Sequence, residues 1–312
     1  MSEKKPPMEF VVETWAPEFG ASVKSLDLEK ALEPAKLEVD FPLKDWKAIT
    51  PSLHAEPLTN LSFIDGVRRT DARLWIKEKD GLSSPSICAT VAAGAVKVIN
   101  NKAVCEHLNV RRYFLTASAL GEDIETKYGD YFFHSLEDDS IEKSMSGVQR
   151  VMLDLEDEVS DLLDPEMPVV YDGPLRGRSS KYSVGMIKTH HKMYLEGKAL
   201  EVLMQLKAGQ ITPIFKIEGR EHRYVWYLQL PGLKAHPLGG IVRCEIPAKA
   251  SIAQVKPFVY SISATLPRFA SEPHKDTRAP QNLYPIAGLE RELKRRLGDQ
   301  RLLEKGLRMR SN

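Results

Sequence analysis

The chain has 312 residues, 42% hydrophobic and 28% charged, with a formal net charge of +1. That length suffices for one large domain or two ordinary ones with a sizeable core. The near-neutral balance excludes a global electrostatic signature of nucleic-acid binding, so any such binding has to come from local Lys and Arg clusters. Cys88, Cys105 and Cys244 are scattered without CxxC spacing, which excludes a disulfide framework or a cysteine zinc site and suits a reducing compartment. The Met1–Pro7 stretch lacks the apolar core of a signal peptide, and no apolar run approaches the ~20 residues of a membrane span. A cytoplasmic protein with no membrane partner is expected.

Residues 1–57 are rich in Pro, Glu and Lys, with Trp15, Phe19, Phe41 and Trp46 spaced as isolated anchors. They read as an arm that packs on a core, with one short helix within residues 25–36. Leu61-Ser62-Phe63-Ile64 then reads as a strand ending in Asp65-Gly66. Residues 67–77 and 86–99 read as two more strands, close enough in sequence for an antiparallel meander. Arg68 and Arg69 read as solvated charge. Asn109–Ala119 is a further strand candidate, and residues 122–134, acidic with aromatics, carry no assignment.

Ser144–Leu163 is the clearest helix. Ser144 is its candidate cap, and Val148, Met152, Leu155, Val159, Leu162 and Leu163 form an apolar stripe at helical spacing. Asp154, Glu156, Asp157, Glu158 and Asp161 fill much of the rest as a solvated face, from which one acid is free to point inward. The helix leads into Pro168-Val169-Val170-Tyr171-Asp172-Gly173-Pro174-Leu175, a brief buried strand ending in an acid and a glycine. Asp65-Gly66 and Asp172-Gly173 therefore repeat one pattern. As turns they need no further explanation. As paired strand ends they bring two carboxylates to one sheet edge, where burial demands a backbone cap, an arginine or a metal ion.

After Asp172 come Arg176, Arg178 and Lys181, then a strand from Val184 that runs through Lys188 to His190 and His191. Adjacent histidines on a strand face opposite sides, which argues against a joint metal site. The cationic cluster beside two carboxylates suits a phosphodiester near a metal. Residues 200–207 read as a helix, and 212–217, 224–230 and 240–246 as strands. Trp226 and Tyr227 read as core, and Arg243 and Glu245 share a face at period two. A helix over 252–264, a charged Pro-containing loop over 267–280 and a last helix over 284–297 complete the chain, with a basic tail at 301–312.

This order of elements is that of a ribonuclease-H-like mixed α/β sheet flanked by helices, with an N-terminal arm and insertions. Such folds place an acid on the first strand and another on the strand after the first long helix. Carboxylates there hold divalent ions about 4 Å apart for phosphodiester hydrolysis, and hard oxygen donors suit Mg²⁺ or Mn²⁺.

Phe63-Ile64-Asp65-Gly66, Val170–Leu175, Gly185-Met186-Ile187-Lys188-Thr189-His190, Gly240–Glu245 and Asn282-Leu283-Tyr284-Pro285-Ile286 resemble, in order, the motifs of NurA-domain nucleases of the bacterial type. The match runs from about residue 60 to 298, leaving the N-terminal arm uncovered, and sets a nuclease domain at 58–300. The resemblance implies a Mn²⁺- or Mg²⁺-dependent DNA nuclease, a homodimer docked on HerA, a hexameric DNA-translocating ATPase. Its role would be DNA end processing in repair or antiviral defence. Asp65 and Asp172 match the family's metal-binding aspartates, and Glu156, with Asp154 as the alternative, matches its helix acid. Lys188 would neutralise the scissile phosphate, Arg176, Arg178 and Arg243 would bind DNA, and Tyr284 would orient substrate or water. Where the family has a His four residues after that Tyr, this chain has Gly288, so Glu290 or His274 would have to substitute, or the site would run with fewer ligands. Two other classes compete: a non-catalytic DNA-binding or scaffold subunit of the same complex, and a phosphohydrolase of small phosphate esters.

Overall fold

In the computed structural model, one long strand carries the first aspartate. Described are residues 8–13, 33–138, 140–178, 180–190, 193–232 and 236–311. In chain order the elements are β1 (Phe10–Val12), β2 (Ala35–Lys36), β3 (Asn60–Lys77), β4 (Ser83–Ile99), β5 (Lys102–Thr116), β6 (Phe132–Ser135), α1 (Ile141–Asp161), β7 (Val169–Asp172) and β8 (Ser183–Ile187). There follow α2 (Gly197–Met204), β9 (Phe215–Glu218), β10 (His222–Gln229), β11 (Ile241–Pro247), α3 (Ile252–Thr265), α4 (Tyr284–Arg296) and α5 (Gln300–Arg310).

The strands form one mixed sheet in the order β2-β9-β10-β11-β8-β7-β3-β4-β5-β6, with β1 paired to β3. Its centre is ribonuclease-H-like. The antiparallel meander β3-β4-β5 is joined through α1 to β7, which pairs parallel with β3, and β8 pairs parallel with β7. The two strands read at 61–65 and 67–77 are one. Asp65-Gly66 lies inside a ladder with β4 that keeps one register from Asn60 to Thr70, Asp65 opposite Gly94 and Gly66 opposite Ala93. Turn propensity at Asp-Gly is overridden because backbone groups buried between two helix layers need ladder partners. The 86–99 strand is the middle of the meander, and its third strand is β5, which begins before the Asn109 start read from the sequence.

The small side chains of β4 follow from its neighbours. Helices α1 and α4 both pack on β3, β4 and β5. Ala89, Ala93 and Ala95 face α1 in a cluster with Ile64, Val151, Met152, Leu155 and Val159. Ala92, Val96 and Val98 face the other way, with Phe63, Val67, Leu289 and Leu293. A Cβ at Gly94 would lie 2.5 Å from Leu108 Cδ2 and 3.3 Å from Leu289 Cδ1, so this strand stays slim to let α4 close.

Helix α1 starts one turn earlier than its stripe suggests. Ser140, not Ser144, caps it, its side chain accepting from Lys143 N, while Ser144 is buried inside the helix. Trp226 and Tyr227 are core residues, both fully buried. The described parts of the arm supply edge strands: β1 on β3 and β2 on β9. Ala35 and Lys36, read as helix, are thus in a strand, and Trp46 is buried beside α2. Trp15, Phe19 and most of the expected arm helix lie outside the described residues. The basic C-terminal tail is helical: α5 buries Leu303 and Leu307 and leaves its arginines outward. Among the described residues no helix is long and apolar enough to cross a membrane.

Candidate active site

The pairing of β3 with β7 stops at Ile64 opposite Tyr171, while β3 runs on to Lys77. Beyond that point β3 separates from the end of β7 and the β7–β8 loop, and a cleft of about 360 Å³ opens there. Asp65, Gly66 and Arg68 line one side, Met152 and Glu156 of α1 a second, and Asp172–Pro174, Arg176, Arg178 and Met186–Thr189 the third. Strand polarity puts both aspartates at this opening, because β3 and β7 run parallel and each arrives from a buried apolar run.

Asp65 is 8% exposed. Its Oδ1 accepts from Gly66 N at 2.9 Å. Burial pushes its carboxyl well above the usual range; the neighbouring Asp172 carboxylate adds to this, Lys188 opposes it, and Glu156 and Glu290 add further. Asp172 ends β7, where Gly173 turns the chain at φ 134° and its N–H bonds Met186 O at 3.0 Å. Lys188 Nζ donates to Asp172 Oδ2 and to Asn282 Oδ1, each at 2.7 Å. Asn282, fully buried, donates onward to Asp276 at 2.6 Å, and Gln281 holds the Lys188 and Ile241 carbonyls. The loop before α4 therefore fixes the lysine over Asp172.

Of the acids on α1, Glu156 is the one turned inward. It is one turn beyond Met152, and both side chains face Gly66; a Cβ there would lie 2.6 Å from Glu156 Oε1 and 3.1 Å from Met152 Cγ. Only glycine lets α1 bring a carboxylate this close to β3. Asp154, the alternative, points out and pairs with Arg150. Glu156 is also claimed: Arg178 Nη2 donates to its Oε2 at 2.8 Å and Arg178 Nε to Asp157 Oδ1 at 2.6 Å. Burial raises the Glu156 carboxyl above its ordinary value, and Arg178 pulls it back.

Three expected site residues lie elsewhere. Tyr284 donates to Glu272 Oε2 at 3.1 Å and lines a separate cleft with Gly288, Val96 and Phe269. The glycine in place of a histidine is thus outside the aspartate cleft. Arg243 stacks over the Tyr194 ring at 5.1 Å. His274 is exposed beside Glu272. Glu290 is near enough to act on Asp65 but is held by Arg278 and Lys294. His190 is tied to Ile241 O, and His191 lies outside the described residues. Asn282, Gln281 and the fit of Gly66 were not assigned from sequence. The Asn282-Leu283-Tyr284 motif contained the signal, but only the fold shows that its asparagine, rather than its tyrosine, reaches the cleft side chains.

Among the described residues, no group of three or more His, Cys, Asp and Glu is arranged to hold a metal ion. Asp65 and Asp172 each commit one oxygen, to Gly66 N and to Lys188, and retain a second as a hard donor. That set fits one Mg²⁺- or Mn²⁺-type ion completed by water and phosphate oxygens. It does not fit a three-carboxylate, two-ion centre, because the charge of Glu156 is already met by the buried guanidinium of Arg178, which cannot lose its proton to make way for an ion.

The fold and cleft define a ribonuclease-H-like α/β protein with two aspartates at a strand opening. No family model matches the chain, and no curated protein does. Among solved structures it is similar to the NurA nuclease from Sulfolobus solfataricus, with TM-score 0.50 and 10% sequence identity over 86% of this chain and 89% of that one. The fold is NurA-like.

Proposed function

We propose that the chain is a metal-dependent DNA nuclease hydrolysing phosphodiester bonds. The observation that carries this reading is the convergence of Asp65 and Asp172 in one cleft, at the strand positions where a ribonuclease-H-like fold performs this chemistry. The NurA-like fold supports it. Asp65 and Asp172 would hold Mn²⁺ or Mg²⁺. The ion, when bound, would supply an activated water and charge stabilisation at the leaving oxygen. Lys188, fixed between Asp172 and Asn282, would meet the scissile phosphate, and Arg68 and Arg176 would orient the flanking backbone. Asp65 gains most from a cation, since its carboxylate is otherwise opposed by burial and by its acidic neighbours. A HerA-type hexameric ATPase as partner, a homodimer, and work in repair or defence follow from the same reading.

The test is digestion of end-labelled linear DNA with Mn²⁺, comparing the native chain with Asp172→Asn, with and without a HerA-type ATPase. Cleavage that disappears in the variant while DNA binding persists supports the assignment, and dependence on the ATPase supports the partner. Equal cleavage by both proteins refutes it. A second reading, a non-catalytic DNA-binding subunit, is favoured by one feature: the cations seated on Asp172 and Glu156. Binding without cleavage under all four conditions selects it.

A further inference from the structure

Resting on the metal-dependent reading, we propose that Arg178 is a resident counter-cation for Glu156, so that the cleft takes one divalent ion, on Asp65 and Asp172, and not two. The sequence suggests a DNA contact for Arg178, but its side chain is spent inside the protein. It is 9% exposed, and its fork engages Glu156 and Asp157 together. Its guanidinium lies 4.2 Å from the centre of the Tyr171 ring, and the Tyr171 hydroxyl is paired with Ser160 of α1. Strand β7, helix α1 and the arginine thus hold one another, a use that suits the planar, permanently charged guanidinium better than an ammonium.

The backbone fixes this placement. The loop leaves β7 through Gly173 at φ 134° and passes Arg176 and Gly177 at φ 49° and 95°. Arg178 N returns to Leu175 O at 3.0 Å. Leu175 is buried, and its N–H donates to Glu245 Oε1 at 2.7 Å. A loop anchored at Leu175 and turned by these residues delivers Arg178 to α1.

Charge leads to the same conclusion. The cleft is lined by three carboxylates, Asp65, Glu156 and Asp172, and by four cationic side chains, Arg68, Arg176, Arg178 and Lys188. A second ion would have to displace Arg178 from a buried carboxylate, bringing a further cation up against the guanidinium already seated there.

The experiment counts Mn²⁺ bound per chain without DNA, by electron paramagnetic resonance titration of free Mn²⁺, with thermal melts on the same samples. The expected result is one ion per native chain, lost in Asp65→Asn or weakened beyond the roughly 10–100-fold typical of losing an outer-shell partner. Glu156→Gln, which keeps an acceptor for Arg178, should still bind one ion within about threefold of native affinity, short of the roughly tenfold or more that loss of even an outer-shell partner of a ligand typically costs. Arg178→Gln, combined with Arg176→Gln because Arg176 also acts on the Glu156 carboxylate, should admit a second ion. Two ions in the native chain, or a tenfold or greater loss in Glu156→Gln, overturns the proposal while leaving the nuclease reading intact. No ion in the native chain overturns both. Should that double variant fail to fold, the Glu156→Gln result decides.

Discussion

Replacing Gly66 by Ala tests the closeness of α1 to β3 at the cleft. The added Cβ would lie 2.6 Å from Glu156 Oε1, 3.1 Å from Met152 Cγ and 3.2 Å from Glu156 Cγ, against ordinary contact beginning at 3.4 Å. A flexible glutamate on a surface would swing aside. This one has its other oxygen on Arg178, and Leu155 and Val159 of its helix are packed against the sheet. The misfit therefore has to be taken up by α1 or by the ion pair, and overpacking of this kind costs about 1–3 kcal/mol. Alanine restricts the unfolded chain and returns about 0.4–1 kcal/mol. The net loss is about 1–2 kcal/mol, or a fall in Tm of about 2–4 °C for a chain of this size. Urea unfolding reads the midpoint, and the double variant Gly66→Ala/Glu156→Ala gives the coupling, expected at about 1 kcal/mol in the rescuing direction. Gly66→Ala as stable as the native chain, or a coupling near zero, would refute the wedge of Glu156 against β3.

Asp65→Asn should stabilise the fold at neutral pH while abolishing cleavage. In the folded chain this carboxyl sits above its ordinary value of 3.8, so the folded state keeps a proton that the unfolded chain releases. The group's favourable contribution is complete below the unfolded value and is lost as pH rises through the folded one. The Tm advantage of the variant should therefore grow above about pH 4 and vanish below it; an equal or lower Tm at pH 7 would contradict the sign. A second ion pair supports the far end of β3: Arg69 Nε meets fully buried Asp71 at 2.7 Å, and its guanidinium also donates to the Leu297 and Gly298 carbonyls past α4. Arg69→Ala should cost about 3 kcal/mol, the low end for breaking a buried pair, because Asp71 keeps its hydrogen bonds from Thr90 Oγ1 and the Tyr131 hydroxyl. Exposed Arg150, paired with Asp154, should cost under about 1 kcal/mol on the same substitution; similar losses for both in urea unfolding would show that Asp71 does not depend on Arg69.

The sequence by itself determined the elements whose cause is local. The stripe from Val148 to Val159 makes α1, and its end leads directly into an apolar run short enough to be only a strand. Asp65 and Asp172 were legible because each is a charge at the edge of a buried run, an arrangement a chain does not adopt without a partner. Element order then gave the ribonuclease-H-like sheet. Tertiary structure alone decided what each acid faces. The uninterrupted β3 was illegible because Asp65-Gly66 carries a turn signal that only the ladder to β4 overrides. Tyr284 and Gly288 were read beside the aspartates because they are one motif with Asn282. Helix α4 instead sends them to another cleft, and Asn282, on the loop before it, reaches Lys188. Arg176 and Arg178 looked alike in sequence. The turns at Gly173 and Gly177 carry one to the cleft wall and lock the other onto Glu156. Periodicity and propensity record a residue's own neighbours along the chain, whereas the charge balance of a cleft is set by side chains more than a hundred residues apart.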